Sequence, residues 1–307
     1  MLAGAPLASA RFPKTRPEIE RRLAPILRAL PLAGQRDYFD LKGRVAARTS
    51  GNGKNIVGRF ASTVAFYERA RQPYGEAFFA EVARTLGFRG SQRLLDLGAG
   101  PGLLAIGFAA FVGEIVGVDP EPAMIEAARQ AAERAGVALR LVVGRAESLP
   151  EDIGTFDVVT IGRALHWMDP DPTRAALGRV VAPNGRILVC RASSVADIRN
   201  PWLGPYEAVR DAWTQKAGKR HYGRDPAVFF AGTRFRHDRT IRVEMEHMIA
   251  LERLIDRVLS MSSSSPARLG DDVETMREAM AEALAPFARN GLVKEVVEAR
   301  AEVFRSD

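Results

Sequence analysis

Apolar and polar positions follow two rhythms along this chain. Between Arg93 and Arg191, short apolar runs at Arg93 to Leu97, Glu114 to Asp119, Ala138 to Val143, Phe156 to Gly162 and Arg186 to Arg191 read as strands. Gly102 to Val112, Pro122 to Ala135 and Asp171 to Ala182 carry helical spacing between them. Pro122 stands at the first position of its helix and Gly136 just past the end, the asymmetry expected of helix termini. Asp171-Pro172 supplies a start for the third helix, and Pro183-Asn184-Gly185 a turn into the next strand. Strands that are apolar on both faces and alternate with helices predict a doubly wound, mostly parallel sheet.

Elsewhere the rhythm changes. Pro17 to Leu30 reads as a helix, TSGNGKN at Thr49 to Asn55 as a loop, and Phe60 to Leu86 as two helices broken near Pro73. Beyond Ser194, Pro201 to Ala217, His247 to Met261 and Asp271 to Ala288 read as helices. Phe235 to Met245 and Lys294 to Phe304 read as two more strands, completing a seven-stranded sheet, with a polar loop at Ser262 to Ser265. The expected organisation is an N-terminal helical extension over 1–55 and one α/β domain over 56–307. Within that domain, 90–193 is the ligand-binding half, 195–235 a helical insertion on the acceptor side, and 236–307 the closing strands and helices.

Composition narrows the class without naming it. Hydrophobic residues make up 47% of the 307 positions and charged residues 26%, enough for a sizeable core. No apolar run reaches the roughly 20 residues of a membrane-spanning helix, so no membrane partner is expected. Cys190 is the single cysteine, which excludes an intramolecular disulfide and a cysteine-rich metal site. The opening residues lack a basic start followed by an apolar core, and Glu18 and Glu20 argue against a transit peptide, so a cytoplasmic location is expected. The net charge of +7 raises the question of nucleic acid. The basic residues are scattered, with no block of like charge, which argues against it.

The chemistry concentrates after the first strand. LLDLGAGPG, Leu94 to Gly102, places Asp96, Gly98, Gly100 and Gly102 between a buried strand and a helix. Glycines there let the backbone turn sharply and approach a ligand, which in this topology lies beyond the carboxyl ends of the strands. A dinucleotide-binding loop shares the feature, but its G-x-G-x-x-G spacing needs glycine where this chain has Leu103. Acids also end or follow three successive strands, namely Asp96, Asp119 and Glu147. Such a ring repels a pyrophosphate and suits a cationic sulfonium carrying an ammonium group. Asp119 is placed to accept both hydroxyls of a ribose, unless it only caps the next helix. Ala146 and Glu147 can offer a backbone N–H and an acceptor to an adenine edge.

Four segments, LLDLGAGPG, VGVDPEPAMIEAAR, VVGRAESLP and FDVVTIGRALHWMDP, resemble those of the class I S-adenosylmethionine-dependent methyltransferases. The A-L-H-W run, the later RVVAPNGRILV and the upstream Tyr67-x-Arg69-x-Arg71-x-x-Tyr74 are similar to the branch grouped as methyltransferase type 11 with the trans-aconitate methyltransferases. The resemblance covers about 60 to 195. It implies S-adenosyl-L-methionine as cofactor, with the loop residues Gly98, Ala99 and Gly100 at its methionine part. Asp119, followed by Pro120, falls at the ribose, and Met124, Ala146 and Glu147 at the adenine. Arg145 departs from the family, standing where many relatives have Asp.

Methyl transfer from a sulfonium needs alignment above all, and a general base only when the acceptor must lose a proton. His166 at the tip of the fourth strand is the candidate base; its alternative is a structural pair with Trp167. Arg163 can bind an anionic acceptor or cover surface. Tyr67, Arg71 and Tyr74 can form a lid over the methionine end or pack as ordinary helix residues. His221, Tyr222 and Arg224 fall in the insertion, while His237 and His247 read as surface or core residues. Asp169 and Asp171 are explained by turn and cap chemistry rather than by a metal. The expected activity is methylation of a small-molecule acceptor by a monomer or homodimer. The alternatives are an RNA or protein methyltransferase, and a cofactor-binding protein without transfer activity.

Overall fold

The computed structural model describes residue 66 and residues 70–213, 225–261 and 264–306. The helix expected over 17–30, the loop at 49–55, Tyr67, His221, Tyr222 and Arg224 lie outside the described residues. In chain order the elements are α1 (Glu76–Leu86), β1 (Arg93–Leu97), α2 (Leu103–Phe108), β2 (Glu114–Asp119), α3 (Pro122–Ala135), β3 (Arg140–Val143), β4 (Phe156–Gly162), α4 (Pro170–Val180) and β5 (Val181–Ser194). They continue with α5 (Leu203–Trp213), α6 (Pro226–Phe230), β6 (Phe235–Ala250), α7 (Leu251–Leu259), α8 (Pro266–Leu269), α9 (Val273–Leu284) and β7 (Leu292–Ser306).

The seven strands form one sheet in the order β3-β2-β1-β4-β5-β7-β6. All neighbours run parallel except β7, which is antiparallel to both β5 and β6. This is a doubly wound, Rossmann-like order, as the sequence predicts. Strand order reverses between β1 and β4, so the helices leaving these two strands diverge and open a crevice at their carboxyl ends. β1, β2 and β4 are mostly apolar and buried along their lengths because helices cover both sheet faces. α3 starts at Pro122 and stops at a left-handed Gly136, where Val137 N–H bonds back to Ala132 O at 2.9 Å.

Several expected boundaries move. The helix after the glycine loop stops at Phe108 and finishes as a 3-10 turn, Ala109–Phe111. α4 begins at Pro170, with Asp169 rather than Asp171 as its cap residue. β5 starts directly after α4, and the expected turn with Asn184 lies within it. His247 is a strand residue, not a helical one: β6 continues to Ala250 because 247–250 pair with β7 from Glu295 to Leu292. α7 is left with Leu251–Leu259 alone.

Three apolar clusters hold these layers. One joins the sheet to α4 and α6 through Phe156, Leu177, Phe229, Phe230 and Phe304. A second joins the opposite face to α1 and α2 through Phe78, Phe79, Phe108 and Leu188. A third gathers α5, α7 and α9 around Trp202, Tyr206, Leu254, Met276 and Met280. The segment after β5 therefore divides, with α5 entering the third cluster and α6 the first. No helix among the described residues is long and apolar enough to cross a membrane.

Candidate functional site

The loop after β1 is pinned across the sheet, because Gly98 N–H and Ala99 N–H both donate to Val118 O on β2, at 2.8 and 3.1 Å. Gly98 has φ 69°, and a Cβ there would lie 2.4 Å from Ala164 Cβ, so neither conformation nor space admits another residue. Gly100 has φ 54° and open space beyond its Cα. The two glycines leave the loop backbone bare toward a cavity of about 430 Å³ at the carboxyl ends of the strands.

Asp119 ends β2 and is nearly buried. Its Oδ2 accepts from Gly100 N–H at 2.8 Å and its Oδ1 from Glu121 N–H at 2.9 Å. Burial raises its pKa, and the two backbone bonds work against that rise. Each carboxylate oxygen keeps a second lone pair for a ligand donor. Asp96 stands deeper, opposite Thr160 in the β1–β4 register. It accepts from Thr160 Oγ1 at 2.8 Å and from Ala105 N–H at 3.2 Å. Burial pushes its pKa up to about 7 against these bonds, which lower it.

Gly98, Gly100, Asp119, Pro120, Met124, Ala146, Glu147, Arg163, His166 and Arg71 all line the 430 Å³ cavity. Asp96 and Ala99 do not. They face a cleft of about 20 Å³ behind the loop, which Gly98 and Arg163 also reach. Glu147 is occupied within the protein: its Oε1 accepts from Asp169 N–H at 3.0 Å and from Arg145 Nη2 at 3.2 Å. It thereby fastens the 3-10 turn Ala146–Ser148 to the start of α4. The unusual Arg145 is thus directed onto the acid two residues away.

Arg163 has φ 56°, a conformation in which a non-glycine residue is strained. Its N–H donates to Cys190 O at 3.2 Å, and its Nη2 to Gln72 O at 2.6 Å and Ala192 O at 3.4 Å. The guanidinium sits 5.0 Å from the Tyr74 ring centre, a cation–π contact. Arg163 so seats the segment before α1 on the sheet, and Tyr74 Oη adds a bond to Cys190 O at 3.3 Å. Arg71 Nη2 donates to Ser260 O at 2.8 Å. His166 lies in the 3-10 turn Leu165–Trp167 after β4, its ring 4.8 Å from that of Trp167, so cavity lining and His-Trp pairing coexist.

The cavity also takes residues that the sequence left unmarked, among them Gln72, Ala164, Met168, Ala192 and Met261. Thr160 was legible in principle, since parallel pairing of two recognised strands brings it beside Asp96. Met261 carried no signal, because only the packing of α7 brings it there. Cys190 is buried in mid-strand and burial raises its thiol pKa, as an inert core thiol requires.

Residues 95–189 match a family model described as a methyltransferase domain. An uncharacterised methyltransferase of Mycobacterium tuberculosis is 37% identical over 128 residues, covering 42% of this chain and 49% of its own. A demethylmenaquinone methyltransferase of Thermus thermophilus is 39% identical over 101 residues, covering 32% and 46%. The chain spans about half the length of the curated relatives it matches. Among solved structures, a putative type II methyltransferase from Anaeromyxobacter dehalogenans aligns with a TM-score of 0.54 at 19% identity, over 77% of this chain and 97% of its own. Residues 95–189 are thus similar to a methyltransferase domain, and the sheet shares the fold of that solved structure.

Proposed function

We propose that the chain is an S-adenosylmethionine-dependent methyltransferase acting on a small-molecule acceptor. Asp119 carries the reading: a buried carboxylate at the end of β2, aimed by two backbone N–H groups beside a bare glycine loop. The fit is chemical as well as steric. Gly98 and Gly100 leave a cradle that a Cβ at Gly98 would fill, and Met124 and Ala146 offer an apolar surface further along the cavity. Bound S-adenosylmethionine supplies a methyl group on a positively charged sulfur, open to in-line displacement.

The remaining work falls to the chain. Asp119 accepts the ribose hydroxyls, Met124 and Ala146 flank the adenine, and Gly98 and Gly100 admit the methionine arm. Arg163 and Arg71 hold the segment that covers this arm. His166 takes a proton when the acceptor has one to lose. A cavity of about 430 Å³ suits a small ligand. Cations are interleaved with carboxylates, as in Arg93–Glu114, Arg199–Asp197–Glu244 and Lys294–Glu246, which favours a small acceptor over RNA.

Calorimetric titration with S-adenosylhomocysteine tests the reading. Saturable binding is expected, weakened about tenfold or more by Asp119→Ala, the loss of charge-assisted bonds. No heat at millimolar ligand would sink it. Labelled methyl incorporation from a metabolite extract then separates an enzyme from an inert binder.

A further inference from the structure

Outside the matched segment lies a fully buried ion pair. Arg257 on α7 and Glu295 on β7 are both at 0% exposure. Arg257 Nη1 donates to Glu295 Oε1 at 2.6 Å and Nη2 to Oε2 at 2.8 Å, a two-pronged pair. A helix can be held on a sheet by leucines at less desolvation cost, so a buried pair needs another account. Its remaining bonds give one. Arg257 Nε donates to Ala70 O at 2.7 Å. Glu295 Oε1 accepts from Ser194 Oγ at 2.6 Å, and Ser194 Oγ accepts from Gln72 Nε2 at 3.4 Å. His247 Nε2 bonds Glu295 Oε2 at 3.0 Å and closes the set from β6.

These contacts converge on 70–72. Arg71 is held by Ser260 O, one residue beyond α7, and Gln72 O by Arg163. Arg71, Gln72, Ala192 and Met261 line the cavity, and each is within four residues of a member of this network. We propose that Arg257 and Glu295 are positioning residues, assembling the cavity wall of Arg71, Gln72, Ala192 and Met261 against which the aminocarboxyl arm of the methyl donor lies. The proposal rests on the cofactor reading above. It assigns a ligand-binding role to a part of the chain that the methyltransferase domain match does not reach.

The test uses the full chain and the variants Arg257→Met/Glu295→Leu, which replaces the pair by apolar groups of similar bulk, and Ser194→Ala. Each is titrated with S-adenosylhomocysteine and with methylthioadenosine, which lacks the aminocarboxyl arm. Hydrogen exchange of a peptide spanning 70–74 is followed without ligand. In the pair variant we expect about tenfold weaker S-adenosylhomocysteine binding, methylthioadenosine binding within about twofold, and clearly faster exchange at 70–74. Ser194→Ala should show the same selectivity at about threefold. Unchanged binding and exchange in a folded variant overturn the proposal, as does equal weakening of both ligands. Should the pair variant not fold, Ser194→Ala decides by the same selectivity. A native chain that binds neither ligand defeats the cofactor reading instead, and the exchange of 70–74 still judges the wall.

Discussion

Asp96 and Asp119 end neighbouring strands and read alike as letters, yet their surroundings separate them. Asp119 receives two backbone N–H bonds beside the cavity, whereas Asp96 lies behind the loop with a hydroxyl and one N–H. With its pKa moved from 3.8 to about 7, Asp96 holds a proton in the folded state that it loses in the unfolded one. Its contribution is therefore most favourable at low pH and declines as pH rises from 3.8 to about 7, by about 4 kcal/mol in all. Urea denaturation at pH 5 and pH 8 should show this slope in the native chain and a flatter one in Asp96→Asn. Equal slopes would mean that Asp96 titrates normally. The sequence announces both acids by their place at strand ends. It does not announce that Glu147 is engaged by Arg145 and Asp169, since that bond spans 22 positions to the start of α4.

Elements were legible where local signals agree with packing. β1, β2, β4 and α3 lie where the apolar runs, Pro122 and Gly136 put them. The end of β6 was not, because Met248 extends backward the helical spacing of Leu251, Leu254, Ile255 and Val258, which only pairing with β7 overrules. α2 shows the same priority of packing over propensity. Gly107 lies in this helix, where alanine is intrinsically better by about 1 kcal/mol. A Cβ at Gly107 would sit 2.0 Å from Phe79 Cζ, in a ring cluster where Phe79 also meets Phe108 edge-on at 4.9 Å. Gly107→Ala should destabilise the protein by about 1–3 kcal/mol in denaturant titration. A gain in stability would show that Phe79 turns aside freely.

Across the whole molecule, Glu295 joins what the sequence keeps apart: Ser194, His247 and Arg257 meet on one carboxylate, and Arg257 carries the set on to Ala70. In the sequence it is one more acid beside Lys294, and no local pattern marks it. Desolvation raises its pKa, but the bonds from Arg257, His247 and Ser194 outweigh that and hold it at about 2. Its stabilisation is complete above the ordinary 4.5 and is lost as pH falls toward 2, by about 3 kcal/mol. Thermal melts from pH 5 to pH 2.5 should fall more steeply in the native chain than in Arg257→Met/Glu295→Leu; parallel curves would refute the assignment. The position of β7 between β5 and β6 has a further consequence, for the order of synthesis. As the chain grows on the ribosome, β5 and β6 emerge with an unfilled slot between them, and their backbone edges stay open until β7 follows. The glycine loop and Asp119 can form early, but the wall that Glu295 anchors cannot, so ligand competence arrives as a late event in the life of each new molecule.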